Sequence, residues 1–113
     1  MKAKIVTKQI EEIESIATSH GIGEKKIFIT HEQCNSQLMQ AAMGTMKSGV
    51  EIESHKHKTM EEFYYFESGK VNFTIGETVL NCISGTFVKV PTDTYHSMKI
   101  IENTRFIYWG IAI

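Results

Sequence analysis

The hydrophobic residues near the N-terminus repeat with a helical period. Apolar side chains recur at Ile10, Ile13 and Ile16 in a segment whose other residues are mostly polar, and this spacing predicts a short amphipathic helix. Thr7 stands where an N-cap residue is expected. His20 falls at the predicted C-terminal end, where the negative pole of the helix dipole favours an imidazole. We therefore expect one short N-terminal helix.

From residue 26 onward the pattern changes to short apolar or alternating runs, such as "KIFIT", "EFYYFES" and "RFIYWGIAI". Turn-forming pairs of serine or glutamate with glycine, and one Pro-Thr-Asp sequence, separate these runs. Eight or nine short strands spaced by about ten residues are typical of a β-sandwich or a barrel. We therefore divide the chain into an N-terminal helical extension, residues 1–25, that packs on the barrel, and a barrel domain, residues 26–113.

The composition narrows the classes of partner. The chain has 113 residues and a formal net charge of -1, with lysine and arginine spread along it, so we expect a small-molecule partner and neither nucleic acid nor a membrane surface. No apolar run approaches the roughly 20 residues that span a bilayer, and the N-terminus becomes charged too early for a signal peptide. Cys34 and Cys82 lack a partner at metal-ligand spacing, which favours reduced thiols and a cytoplasmic protein.

Groups suited to metal binding concentrate in the stretch "HKHKTMEE", residues 55–62. His55 and His57 are two residues apart, so on a strand both imidazoles point to the same face. Glu62 has the opposite parity, and a turn or bulge must intervene before its carboxylate can return beside them. His96 could join them only from an adjacent strand. Three imidazoles and one carboxylate would suit a transition-metal ion, although the stretch taken alone is also typical of a polar, solvated turn.

The residues around this stretch resemble the first of the two signatures of the cupin superfamily. That signature is a glycine, five residues, His-x-His, three or four residues, a glutamate, six residues and a second glycine. In this chain Gly49 is followed by "VEIES", by the His-Lys-His sequence and then by two adjacent glutamates. Only Glu62 leaves six residues before Gly69, so the resemblance favours Glu62 over Glu61 as the ligand.

The second cupin signature is matched with two departures. It consists of a glycine, five residues, Pro-x-Gly, two residues, a histidine, three residues and an asparagine, which correspond here to Gly85, Pro91, Asp93, His96 and Ile100. Asp93 replaces a glycine, and we expect a turn with positive φ, which aspartate tolerates better than most residues. Ile100 replaces an asparagine that is not a metal ligand in this family, so this departure concerns packing.

The resemblance covers about residues 38–113 and implies an all-β fold, the double-stranded β-helix or jelly-roll barrel, with one metal site near its open end. By the same resemblance, His55, His57, Glu62 and His96 would bind one divalent transition-metal ion: Fe, Mn, Ni, Co, Cu or Zn. Small cupins commonly form dimers, so a homodimer is expected, with "KIFIT" and "FIYWGIAI" as the strand edges that would need covering.

Strand parity predicts which further side chains share the face of the metal site. Tyr64 and Phe66 have the parity of Glu62, and Met98 and Ile100 follow His96 in the same way. Gln40, on the strand before the first signature, could add a polar contact. These five residues form the predicted substrate pocket, in which Tyr64 could act as an acid or as an orienting donor. Packing is the alternative role for each of them.

A fold and a metal do not determine a reaction. A metalloenzyme of dioxygenase or isomerase type, a non-catalytic protein that binds a sugar or carboxylate through the metal, and a structural cupin all fit the sequence. Apart from Glu62 and Tyr64 no acid-base pair can be named, and the predicted wall of Met98 and Ile100 is apolar. These features argue against sugar isomerisation and are compatible with oxygen chemistry.

Overall fold

The computed structural model describes residues 4–113, and the regular secondary structure of this part of the chain is almost entirely β-strand. Its eight strands are β1 (Ile16–Ala17), β2 (Glu24–Thr30), β3 (Leu38–Met46), β4 (Glu51–His55), β5 (Met60–Ile75), β6 (Thr78–Ile83), β7 (Phe87–Val90) and β8 (His96–Ala112). Within the same residues the only helical elements are two three-residue 3₁₀ turns, Ile10–Glu12 and His31–Gln33. Every strand pair is antiparallel, so the predicted all-β class is confirmed.

Two long strands, β5 and β8, belong to both layers of the barrel. The first half of β5 pairs with the last half of β8, and the second half of β5 pairs with the first half of β8. The register shifts between residues 66 and 71, at the corner between the layers. One layer contains β1, β2, β3, β8, β5 and β7, and the other contains β4, β8, β5 and β6. This arrangement is the predicted jelly roll.

Aromatic side chains from the two layers meet in the core. Within β5, the even-numbered residues from 62 to 66 are buried and their odd-numbered neighbours are less so, as the alternation of a strand requires. The ring of Phe73 meets Tyr64 edge-on, with centroids 5.1 Å apart, and meets Phe66 in the same way at 6.2 Å. Edge-to-face contacts of this kind are favourable for aromatic pairs, and they fix the two layers against each other.

The strand edges differ in part from the prediction. The run "FIYWGIAI" is not an edge, because the C-terminal half of β8 lies between β3 and β5. The run "KIFIT" in β2 has β3 on one side, and on the other side β1 pairs only with Glu24 and Lys25. Among residues 4–113, no strand pairs with this side of β2 beyond Lys25, where the Lys8 amine donates to the carbonyl of Ile27 at 3.4 Å.

The predicted N-terminal helix is wrong. Residues Ile10–Glu12 form a single 3₁₀ turn, and β1 (Ile16–Ala17) pairs with the beginning of β2. The proposed division of the chain at residue 25 stays a prediction, and β2 (Glu24–Thr30) runs across it. None of the helices in the part of the chain that the structure describes is long and apolar enough to span a membrane.

A helix at this place would gain little from packing. None of the three isoleucines of the predicted apolar stripe is fully buried, and helices shorter than about 12–15 residues are marginal in water without such packing. The segment forms a tight hairpin instead, in which Gly21 and Gly23 adopt positive φ and the Thr18 hydroxyl donates to the carbonyl of Ile22 at 2.6 Å. The hairpin brings residues 18–20 to the rim of the barrel cavity.

Positive φ occurs in three different surroundings, at Asp93, Gly69 and Gly85. Asp93 has φ of 54°, which confirms the turn expected where the second signature has a glycine. Gly69 has φ of 91° and lies at the corner between the layers, where a Cβ atom would collide with the Asn103 carbonyl and with Thr104. Gly85 has a similar φ of 89° but faces open space.

Comparison of Gly69 with Gly85 separates two contributions to stability: the cost of positive φ for a residue with a Cβ atom, and the cost of steric overlap between that atom and its neighbours. Gly85→Ala should lower the free energy of unfolding by about 1–2 kcal/mol, the cost of left-handed backbone for a residue with a Cβ. Gly69→Ala should lower it by that amount plus roughly 1–3 kcal/mol for overpacking. Urea unfolding followed by Trp109 fluorescence measures both values. Equal losses in the two variants would contradict the close approach of β5 and β8 at the corner.

Candidate metal centre

Four side chains converge at one end of the barrel. His55 ends β4, His57 lies in the following turn, Glu62 belongs to β5 and His96 begins β8. One potential ligand atom from each lies within 4.8 Å of the others. His55 stands directly opposite His96 in the β4–β8 pair, so an adjacent strand brings the distant histidine to the site, as the sequence required.

The turn between β4 and β5 returns Glu62 to the imidazoles. The backbone N–H of Asp93 donates to the carbonyl of His57 at 2.7 Å, and the Lys56 amine lies 3.0 Å from the Asp93 carboxylate. The turn at Asp93, in the second signature, therefore holds the turn at residues 56–57, in the first signature, in place. Lys56 extends away from the cluster, over the ring of Tyr95.

Backbone carbonyls orient two of the imidazoles. The Nδ1 atom of His55 lies 2.9 Å from the carbonyl oxygen of Glu53, and the Nδ1 atom of His96 lies 2.9 Å from that of Thr94. A carbonyl oxygen can only accept, so each Nδ1 carries the proton and donates it. The Nε2 atom of each neutral ring is then left with a free lone pair, which is the form that binds a metal.

The Glu62 carboxylate draws these nitrogen atoms together. Its Oε1 atom lies 3.1 Å from Nε2 of His96 and 3.2 Å from Nε2 of His57. Because the Nδ1 atom of His96 already carries a proton, its Nε2 lone pair and the carboxylate oxygen would repel each other unless a proton or a metal cation lay between them. The donor set therefore fits one divalent transition-metal ion.

The pKa shifts follow from burial and from these charges. Burial and the neighbouring imidazoles lower the pKa of His55 more than its hydrogen bond to the Glu53 carbonyl raises it, which favours the neutral, ligating form of the ring. Burial raises the pKa of Glu62, but the hydrogen bond from His96 and the nearby imidazole charges outweigh it, so the net pKa is lowered. Burial lowers the pKa of His96, but a proton held between its Nε2 atom and Glu62, together with the hydrogen bond to the Thr94 carbonyl, outweighs burial, so the net pKa is raised.

Glu61 points away from the cluster. Its carboxylate lies 3.2 Å from the amine of Lys89 on β7, on the opposite face of β5 from Glu62. The choice of Glu62 over Glu61, made from the spacing to Gly69, therefore agrees with the geometry.

Tyr64 contacts the site through Glu62. Its hydroxyl donates a hydrogen bond to Oε1 of Glu62 at 3.3 Å, and its ring stacks on that of Tyr108 with centroids 5.8 Å apart. Burial, followed by the charge of Glu62, raises the pKa of Tyr64 well above its ordinary value. The same two causes raise the pKa of Tyr108 to about 12. Both hydroxyls are therefore neutral donors.

The cluster opens into a cavity of about 170 Å³. Gln40, Tyr64 and Met98 line it, as predicted, but Phe66 and Ile100 do not. The last two are each 1% exposed and belong to the closed core. Strand parity gave the correct face for them, but they lie two residues farther along their strands than Tyr64 and Met98, beyond the end of the cavity.

Two basic side chains at the cavity, outside the metal cluster, were missed from the sequence. The ring of His20 lies 4.4 Å from that of His55, and no helix end exists for it to stabilise. Lys25 also lines the cavity. The sequence did contain a hint of this position: Lys25 stands two residues before the apolar Ile27 in "EKKIFIT", and alternate residues of a strand share a face.

Substitution of the two adjacent glutamates tests the cluster. Glu62→Gln should lower affinity for a divalent transition metal by at least about a hundredfold, because it removes the one anionic donor, whereas loss of a mere supporting contact costs about 10–100-fold. Glu61→Gln is the matched control and should bind as the unaltered protein does. Titration with Co²⁺, followed by visible absorption, measures both affinities. Equal affinities, or unchanged metal content in His55→Ala with His57→Ala, would contradict the assignment.

Solved structures of similar fold come from several bacteria. A predicted oxalate decarboxylase of Thermotoga maritima superposes with a TM-score of 0.83 at 20% identity, over 97% of this chain and 100% of the other. An RmlC-like cupin of Shewanella frigidimarina gives 0.82 at 17% identity, over 100% and 96%. Ectoine synthase of P. lautus gives 0.82 at 14% identity, over 96% and 78%. At these identities the likeness establishes the fold alone.

Sequence comparison identifies the family directly. No protein of curated function matches the chain significantly. The family model described as "Cupin domain" matches residues 42–110, which include both signatures and all four residues of the metal cluster. The chain therefore belongs to the cupin domain family.

Proposed function

We propose that this protein is a mononuclear transition-metal enzyme that acts on a small molecule held in the barrel cavity. The observation that carries this proposal is the convergence of three imidazoles and one carboxylate within 4.8 Å at the cavity. The cluster contains the donor types that transition metals prefer, and His55 and His96 are oriented by backbone carbonyls. Four protein ligands leave coordination positions free for a substrate.

Each residue of the site has a role in this proposal. His55, His57, Glu62 and His96 would hold the ion, and the Tyr64 hydroxyl would position Glu62 through its hydrogen bond. When bound, the metal supplies open coordination positions and, if it is redox-active, electrons for oxygen chemistry. Apolar side chains of the cavity wall, such as Met98, exclude water from the bound substrate.

Among metalloenzymes, the dioxygenase type is favoured over the isomerase type. Isomerisation needs a group that takes and returns a proton, and such a group works best with a pKa near the operating pH. Burial moves the pKa of Tyr64 and Tyr108 upward, away from that range. The names of the structural neighbours include both a decarboxylase and a synthase, so they do not choose between reactions.

A non-catalytic role is the second candidate. Burial raises the pKa of Tyr64 and of Tyr108, so these two hydroxyls do not form an effective proton-transfer pair, and a protein that only binds its ligand needs none. In this case the metal and the wall would together hold a sugar or a carboxylate. The enzyme and the non-catalytic protein would use the same metal site, but only the enzyme would convert its ligand to a product.

Oxygen uptake distinguishes these possibilities. Protein loaded anaerobically with Fe²⁺ should consume dioxygen with at least one member of a panel of small organic acids and diols, measured with an oxygen electrode. The Zn²⁺-loaded protein, and Fe²⁺-treated His96→Ala, should not. Conversion of a panel member by the Zn²⁺ form, followed by NMR, would overturn the dioxygenase assignment in favour of an isomerase. Binding without turnover by any metal form would support the non-catalytic role.

We also propose a homodimer, supported by the open edge of β2. An exposed edge presents unpaired N–H and C=O groups that another strand can satisfy. In the part of the chain that the structure describes, no strand pairs with this side of β2 beyond Lys25, and only the Lys8 side chain contacts its backbone there. Light scattering should give twice the chain mass of 12.9 kDa, and backbone amides of β2 should exchange more slowly at high than at low protein concentration. A monomer at all concentrations would contradict the proposal.

The cellular location stays a prediction. Cys34 and Cys82 are not bonded to each other, and Cys82 is buried. Burial raises the pKa of the Cys82 thiol to about 11, so this group is unreactive near neutral pH.

A further inference from the structure

A lysine points into the barrel at the cavity. Lys25 on β2 stands directly opposite Gly44 on β3, and directly opposed residues of an antiparallel pair share a face. The face of Gly44 is the inner one, because a Cβ atom there would lie 2.6 Å from the ring of Phe106. Lys25 is half-buried and lines the cavity that also contains the metal cluster.

The amine of Lys25 has spare hydrogen-bonding capacity. It donates to the side-chain oxygen of Gln40 at 3.2 Å, and no ion pair joins it to any carboxylate among residues 4–113. An ammonium group has three donors, and a half-buried charge without a counter-ion is costly. An anion in the cavity would supply the missing acceptors and charge.

The strand register aligns this lysine–glutamine pair with the metal cluster. Gln40 on β3 is opposite Gly110 on β8, and Gly110 is in turn opposite Glu62 on β5. Gln40 and Glu62 therefore lie on one row of the inner face, two strand spacings or about 10 Å apart. The residue between them has no side chain, and a Cβ there would lie 2.6 Å from the sulfur of Met60. The thioether of Met60 therefore covers this position and gives the floor between the two polar ends an apolar surface.

The charges and the volume limit what can fit between these ends. The four donors include one carboxylate, so a divalent ion would leave a net positive charge at one end, and Lys25 adds a second at the other. Such a cavity attracts anions. Its volume of about 170 Å³ is close to that of an engineered cavity of about 150 Å³ that binds benzene. This volume suits a ligand of only a few non-hydrogen atoms.

We propose that the cavity takes a small organic acid with a second oxygen-bearing group, whose carboxylate is held by Lys25 and Gln40 while the other group faces the metal cluster. This inference rests on the proposed metal-dependent function and names its substrate class. An alternative role for Lys25 is to prevent edge-to-edge aggregation, since inward-pointing charges on strands near an edge can do so. The experiment below separates the two roles.

Calorimetric titration of Zn²⁺-loaded protein with malonate, lactate and pyruvate tests the proposal, with malonamide and lactamide as neutral counterparts and inorganic phosphate as a competing oxyanion. At least one acid should bind more tightly than its amide and than phosphate. Lys25→Met should weaken that binding by at least about tenfold, the contribution of a charged hydrogen bond. Gln40→Glu should weaken it similarly, because it gives Lys25 an internal partner. Lys99→Met, which removes an exposed lysine of β8, should have no effect.

Metal content, measured before and after each titration, separates the possible failures. If the unaltered protein retains no metal, the proposed function fails. If it retains metal but no acid binds more tightly than its amide, or only phosphate binds, the inference about the substrate class fails and the metal site stands. If Lys25→Met binds the acid normally and associates beyond the dimer of the unaltered protein, the lysine protects the edge, and the inference is again overturned.

Discussion

The antiparallel pairing of β5 with β8 is the constraint on which the rest of the structure depends. These strands run through both layers, and the change of register at the corner near Gly69 allows one pair to build two sheets. The same pairing brings Glu62 and His96, distant in sequence, to within 3.1 Å. The core and the metal cluster are therefore products of one arrangement, and a change at the corner would disturb both.

The arrangement of charged groups at the metal cluster is set by the backbone around it. The protein buries one carboxylate among three imidazoles, and the Nδ1 protons of His55 and His96 are directed outward by backbone carbonyls. Buried groups so arranged need a cation between them, which the family's signatures also imply. The Tyr64 hydroxyl completes the arrangement by donating to Glu62. The backbone carbonyls thus orient two of the imidazoles so that their Nε2 atoms can bind a metal.

The sequence contained most of the fold and the four cluster residues, because strand alternation and motif spacing are local properties. The prediction from sequence was wrong at the N-terminus, where the helical spacing of three isoleucines suggested a helix. The segment forms a 3₁₀ turn and a hairpin instead, and none of the three isoleucines is fully buried. The sequence could not find where the cavity ends, so Phe66 and Ile100 were assigned to the pocket and lie in the core. It also missed Lys25, whose position depends on the pairing of β2 with β3.

The central claim is that three imidazoles and the Glu62 carboxylate together hold one metal ion. X-ray absorption of the Zn²⁺-loaded protein tests it most directly, because imidazole rings give a distinctive scattering pattern. The expected spectrum has three imidazole nitrogens at about 2.0–2.1 Å and at least one oxygen at about 2.0–2.2 Å, and Glu62→Gln should remove the carboxylate contribution. A spectrum with fewer than three imidazoles, or one unchanged by that substitution, would contradict the claim.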